Sequence, residues 1–190
     1  RRSHRQRERE ALEVVELERD ACRALTELDQ IGLGDPSSGD GTTTRRTSPV
    51  QVGALTTWAT VSTHKYHTCA TRTDGTLWCW GQNTFGQLGD TTTTQRTSPA
   101  QVGALTTWNA VSAGSYQTCA TRIDLSLWCW GRNANGQIGD GSTTQRTSPV
   151  QVGAGASWAT VTGGEAMTCA TRTNGTLWCW GINSNGELGD

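Results

Sequence analysis

The chain has 190 residues, 34% of them hydrophobic and 17% charged, with a formal net charge of −1 at pH 7. That is enough chain for a folded core, and it lacks the clustered basic stripe that nucleic acid calls for. No apolar run of the roughly 18 residues needed for a spanning helix is present.

Residues 1–40 differ from the rest: they hold seven Arg against ten Asp and Glu, whereas beyond them Lys65 is the one lysine in a stretch rich in Thr, Gly and Trp. The opening "RRSHRQRERE" has no initiator Met and no apolar stretch behind it, so a secretory signal is expected upstream if there is one. Residues 8–31 read as an α-helix, with Val14, Leu17, Ala21, Ala24, Leu28 and Ile31 at heptad spacing and Gly32, Gly34 and Pro36 ending it. The stripe is short for an independent coiled coil, so the helix is expected to lie on the exposed side of the first repeat. Residues 1–35 are therefore set apart as a charged helical segment with its linker.

Residues 36–190 are repetitive. "LWCWG" stands at residues 77–81, 127–131 and 177–181, and residues 51–100 match residues 101–150 at 34 of 50 positions without a gap. The segment "GDGTTTRRTSPVQVG" at residues 39–53 is the tail of a further unit, and the third copy stops at Asp190 before its "QRTSP" segment. The pattern is that of a stretch from a longer array. A period of about 50 suits propeller blades. Each unit offers four short strands: "PVQVG" at residues 49–53, "WATVS" at 58–62, "TCATR" at 68–72 and "LWCWG", joined by Gly, Asn and Asp turns. The expectation is an all-β partial β-propeller of three four-stranded blades, at about residues 49–90, 99–140 and 149–190, preceded by the N-terminal helix.

In "LWCWG" the strand period of two puts Trp78 and Trp80 on one face and Leu77 and Cys79 on the other. Two apolar faces suit a strand held between neighbouring blades. A stacking platform for sugars or bases is the other use of such tryptophans, but regular repetition at one strand position favours a core.

Six of the seven cysteines fall in three pairs. In "CATRTDGTLWC" a three-residue loop at residues 73–75, with glycine left-handed in a bulge, places Arg72 opposite Thr76 and hence Cys69 opposite Cys79. Cross-strand neighbours at that separation are within disulfide reach, so Cys69–Cys79, Cys119–Cys129 and Cys169–Cys179 are expected. Buried free thiols in a reducing cell are the alternative. Leu125 stands where the other copies have Gly75 and Gly175, which marks the second hairpin as the strained one. Cys22 has no partner. The cysteine spacing and three His form no metal constellation. Nor is there a nucleophile beside a base, a carboxylate pair or a phosphate loop, so neither enzyme activity nor a cofactor is expected.

Comparing copies separates scaffold from variable surface. The sharpest drift lies after the second strand, "THKYH", "AGSYQ" and "GGEAM", ending at His67, Gln117 and Met167. The candidate ligand-binding residues are His64, Lys65, Tyr66, His67, Ser115, Tyr116, Gln117, Glu165 and Met167, with His67 itself read as a turn or core histidine. "QNTF", "RNAN" and "INSN", starting at Gln82, Arg132 and Ile182, drift as well. If these sets share one end of the propeller, they form a mixed polar and aromatic surface of protein-binding type; neutral drift on exposed loops explains the same variation. The sequon Asn174-Gly175-Thr176 is better explained as a turn.

The string "TCATRTDGTLWCWGQNTFGQLGDTTTTQRTSP", with W-G-x-N-x-x-G-Q-[LI]-G-D recurring in register and Glu187 in the Gln place of the third copy, resembles the regulator of chromosome condensation repeat, especially its Trp- and Cys-rich bacterial variants. The resemblance covers roughly residues 30–190. It implies a propeller, usually of seven blades, in a family whose members do unrelated jobs. The leading expectation is a secreted or cell-surface scaffold for an unknown protein partner, able to self-associate through open blade edges. The alternatives are a cytoplasmic regulator of a small GTPase, of the nucleotide-exchange type, and a carbohydrate-binding module.

Overall fold

The computed structural model describes residues 38–189; the expected helix at residues 8–31 lies outside them. Eleven strands follow one another: β1 (Trp58–Thr63), β2 (His67–Arg72), β3 (Leu77–Gly81), β4 (Arg96–Gln101), β5 (Trp108–Ala113), β6 (Gln117–Arg122), β7 (Leu127–Gly131), β8 (Arg146–Val152), β9 (Trp158–Gly163), β10 (Met167–Arg172) and β11 (Leu177–Gly181). They form antiparallel sheets in the orders β1-β2-β3-β4, β5-β6-β7-β8 and β9-β10-β11. Strand β5 packs beside β1 and β2 of the first sheet, and β9 packs beside β5 and β6 of the second. Ser62 Oγ accepts the Ala113 N–H at 3.0 Å and Ser112 Oγ accepts the Gly163 N–H at 2.9 Å, linking one inner strand to the next.

The all-β, partial-propeller expectation holds, with two corrections. The "PVQVG"-type segment closes the sheet that precedes it instead of opening the one that follows: β4 and β8 pair with β3 and β7, the "LWCWG" strands. The first sheet accordingly runs from Trp58 to Gln101, not over residues 49–90. Among the described residues the third sheet has three strands, and in the first two sheets the fourth strand comes from the unit that follows in the sequence. Residues 49–53, at the head of the first unit, form no strand.

The hairpins have the expected register. The Arg72 N–H reaches Thr76 O at 2.9 Å and the Gly75 N–H reaches Arg72 O at 2.9 Å, so Cys69 faces Cys79, and the same holds for Cys119 with Cys129 and Cys169 with Cys179. All three pairs are disulfides with Cα atoms 4.1 Å apart. Gly75 is left-handed, and a Cβ there would lie 2.1 Å from Thr106 O. Leu125 nonetheless adopts the same conformation, at φ 63°, as the sequence suggested. Its facing loop is reshaped: Gly155 stands at φ 82° where the preceding unit has Leu105, and the Ala156 N–H closes a turn onto Gly153 O at 3.0 Å.

Two apolar clusters lie between blades. One joins Cys69, Leu77, Cys79 and Leu88 of the first blade to Trp108, Ala120 and Trp130 of the second, and the other joins Cys119, Leu127, Cys129 and Ile138 to Trp158, Ala170 and Trp180 of the third. The "LWCWG" strand of the second blade, β7, thus turns its indoles to the preceding blade and its Leu and Cys to the following one.

The glycine-rich segment after each third strand is the clasp at this joint. Asn83 Nδ2 donates to Asp90 Oδ1 and to the Thr92 and Thr94 carbonyls, while its Oδ1 accepts the Leu88 N–H at 3.0 Å. Asp90 binds the Thr92 amide and hydroxyl through one oxygen and Arg96 through the other, at 2.9 Å from Nε. The Gln87 carbonyl then accepts from the next blade, from Trp130 Nε1 at 2.9 Å and Thr118 Oγ1 at 2.7 Å. Gly89 lies against the Trp130 ring, where a Cβ would be 2.6 Å from Nε1. Burial by itself would raise the Asp90 and Asp140 pKa values, but hydroxyl, guanidinium and amide donors outweigh it and hold both below the ordinary carboxylate range. The recurring arginines have structural partners: Arg46, Arg96 and Arg146 pair with Asp40, Asp90 and Asp140, and Arg122 and Arg172 lie over indoles.

Candidate functional site

The turns that drift between copies share one end of the molecule with the segments that follow the third strands. Gln82, Arg132 and Ile182 donate their N–H groups to the carbonyls of Tyr66, Tyr116 and Ala166, at 2.9, 2.8 and 3.0 Å, tying each variable turn to its variable neighbour. The two sets therefore form one surface.

At its centre Tyr66 and Tyr116 stack with ring centroids 4.8 Å apart, and Phe85 meets Tyr116 edge-on at 5.1 Å. The Arg132 guanidinium lies 5.2 Å from the Phe85 ring and 5.6 Å from that of Tyr116, and Lys65 Nζ lies 5.4 Å from the Tyr66 ring. Tyr66, Tyr116, Phe85, Lys65 and Arg132 are half-buried and Glu165 is exposed. Burial, with the neighbouring Tyr66 hydroxyl, pushes the Tyr116 phenol up to about 12, so Tyr116 stays neutral at physiological pH. His64 Nδ1 lies 3.3 Å from Ser115 Oγ; burial lowers its pKa and Glu165 opposes the shift.

Three of the expected site residues are placed elsewhere. His67 and Gln117 are fully buried and Ser115 nearly so, which makes them parts of the joints between blades. Gln117 Nε2 donates to Gly164 O and Met167 O at 3.1 and 3.0 Å. His67 Nε2 lies 2.7 Å from Thr118 Oγ1. That hydroxyl gives its own hydrogen to Gln87 O, so Nε2 must carry the proton and the buried Nδ1 has no hydrogen-bond partner among the described residues. Met167 is half-buried beside this joint. Phe85 and Arg132 belong to the centre but were noted in the sequence only as drifting positions; what distinguishes them is the register that brings both variable segments to the same strand ends.

His67 yields a pH prediction. Burial above all, with His64 nearby, depresses its pKa from 6.5 to about 3. A depressed folded pKa means that protonation favours the unfolded chain, so the stability is complete above pH 6.5 and is lost as pH falls towards 3. About 2 to 3 kcal/mol should be lost by pH 4.5. Denaturant midpoints at pH 7 and 4.5 should show this for the native sequence, and His67→Gln, which copies the side chain of Gln117, should flatten most of the difference.

The model of the "Regulator of chromosome condensation (RCC1) repeat" matches residues 74–121 and 126–171, and a second model of that repeat matches residues 158–187. The chain belongs to the RCC1 repeat family. Solved structures of similar fold include Prp20p of Saccharomyces cerevisiae, described with its binding to Gsp1p and histones, at 20% identity and a TM-score of 0.64, covering 72% of this chain and 36% of that one. Human WBSCR16 is similar at 17% identity and a TM-score of 0.60, covering 66% of this chain and 33% of that one. The RCC1-repeat chain thus spans about a third of the length of these structures, and the likeness is one of fold. No curated protein matches the sequence. Among the described residues no helix is long and apolar enough to cross a membrane, and no group of metal-binding side chains occurs.

Proposed function

We propose that this RCC1-repeat chain is a non-catalytic scaffold that binds a protein partner through the end carrying Tyr66, Tyr116, Phe85 and Arg132. The observation that carries this reading is the half-buried aromatic stack capped by a guanidinium, built on turns whose sequence varies while the blades beneath stay nearly constant. Tyr and Arg dominate the energetics of protein interfaces, and a rigid sheet beneath lowers the ordering cost of binding. Lys65 and Glu165 at the margin supply a charged rim.

The setting we infer is extracellular or at a cell surface. Three disulfides joining adjacent strands belong to an oxidising compartment. The same bridges speak against a cytoplasmic regulator of a small GTPase. A carbohydrate platform has less support, since Trp108, Trp130 and Trp158 are buried between blades and Trp80 is buried as well.

The test is chemical cross-linking of the protein to an extracellular fraction of its own source, with the captured proteins quantified. Tyr66→Ala combined with Tyr116→Ala should reduce the main cross-linked species at least tenfold, while Ile123→Ala at the opposite end should leave it unchanged. Equal capture by both variants would sink the proposal.

A further inference from the structure

At the joint between the first and second blades lies an open cavity of about 320 Å³, walled by Thr91, Leu105, Trp108, Arg122, Trp128 and Pro149 among others. None of these residues belongs to the tyrosine surface. Two features set the cavity apart from a packing defect: the way it holds a cation, and a strained hydroxyl residue at its rim.

The cation is Arg122. In the first blade its counterpart Arg72 donates from Nε to Thr57 Oγ1 at 2.8 Å and pairs with Asp74 at 3.3 Å. Arg122 has the same sequence neighbours, Thr107 and Asp124, and Asp124 lies near enough to feel its charge. Yet among the described residues Arg122 makes no ion pair and its Nε has no acceptor. Its guanidinium lies instead over two indoles, 5.1 Å from the Trp108 ring and 4.6 Å from that of Trp128. A guanidinium stacked on aromatic rings keeps its in-plane N–H fork for an acceptor, and that fork matches a carboxylate.

The hydroxyl residue is Thr91. It stands at φ 67°, a left-handed conformation that β-branched residues rarely adopt, where the neighbouring units have Gly41 and Gly141. Its N–H donates to Thr147 O at 2.9 Å, which fixes the strained backbone against the second blade. Strain of this kind gathers at ligand clamps. The joint between the second and third blades has Gly141 and Gly155 in the places of Thr91 and Leu105, so the hydroxyl and the aliphatic wall are particular to the first joint.

We propose that this cavity binds a small organic acid, with the carboxylate on the Arg122 fork beside the Thr91 hydroxyl and the apolar body against Trp128, Leu105 and Pro149. Its volume and its mostly apolar and aromatic wall with few polar groups are the usual form of a small-molecule site. Leu105 is 46% exposed and Trp128 half-buried, so the body of the acid covers apolar surface that an inorganic anion would leave wet.

Phenylacetate and its uncharged analogue phenylacetamide separate the two contributions. Titrated into the ¹⁵N-labelled full chain, phenylacetate should shift the indole N–H signals of Trp108 and Trp128 with a Kd of about 1 mM or tighter, within reach of about ten heavy atoms. Phenylacetamide should bind at least tenfold more weakly, because it forfeits hydrogen bonds between charged groups. Arg122→Gln should weaken phenylacetate at least tenfold and leave phenylacetamide unchanged, while Arg172→Gln at the other joint should alter neither. Thr91→Gly copies Gly141 and relaxes the backbone, so it keeps the fold; it should weaken phenylacetate about threefold, the loss of one hydroxyl contact. Should Arg122→Gln fail to fold, the acid and amide comparison on the native sequence, with Thr91→Gly, decides alone. Equal binding of acid and amide, unchanged affinity in a folded Arg122→Gln or in Thr91→Gly, or shifts confined to other indoles would each overturn the proposal.

Discussion

Replacing Trp130 by Ala should cost about 4 kcal/mol, the range for deleting a buried indole with incomplete collapse of the space left behind. Trp130 is wholly buried and is the part of the second blade that reaches into the first. Its Nε1 also donates to Gln87 O at 2.9 Å, so the substitution removes packing and half of the polar link at that carbonyl. The glycine beneath supplies an independent check. Gly89→Ala leaves the indole in place but adds a Cβ 2.6 Å from Nε1 at a backbone φ of 71°. It should lower stability by about 2 kcal/mol, from crowding and from the left-handed backbone together. Denaturant titration followed by tryptophan emission and far-UV circular dichroism measures both. If Trp130→Ala unfolds at the native midpoint, the joint between blades is not where the stability of this array resides.

Removing one bridge, by changing Cys119 and Cys129 both to Ser, should cost about 3 kcal/mol. The cysteines are ten residues apart, and closing a loop of that size restricts the unfolded chain by about 2.8 kcal/mol in the entropy model. The bridges should also differ in how readily they open. Cys69, Cys79, Cys119 and Cys129 are fully buried beneath a following blade, whereas Cys169 and Cys179 are only half-buried at the open face. Under mild reductant in native buffer Cys169–Cys179 should open first, read as alkylation of those two thiols by peptide mass mapping while the other four stay blocked. Opening of all three at one rate would mean that reduction follows global unfolding and not local exposure.

Much of the architecture was legible in the chain because it rests on short-range rules applied three times. The alternation in "LWCWG" and the turn "TDG" set the strand faces and the hairpin register, and the register set the disulfides, since Cys69 must face Cys79 once Arg72 faces Thr76. Leu125 could be read as left-handed because hairpin geometry depends on three consecutive residues. The variable turns could be listed by comparing copies, but not weighed: that His67, Ser115 and Gln117 face inward while Tyr66 and Tyr116 stack outward depends on what the neighbouring blade places against them.

Composition and periodicity therefore determined the strands, their hairpins and the repeat. Tertiary structure alone decided which strand completes which blade, for a ladder of backbone hydrogen bonds is blind to where a sequence repeat is taken to begin. It also decided that Phe85 of the first blade meets Tyr116 and Arg132 of the second, because residues that far apart in the chain meet only when successive sheets pack side by side.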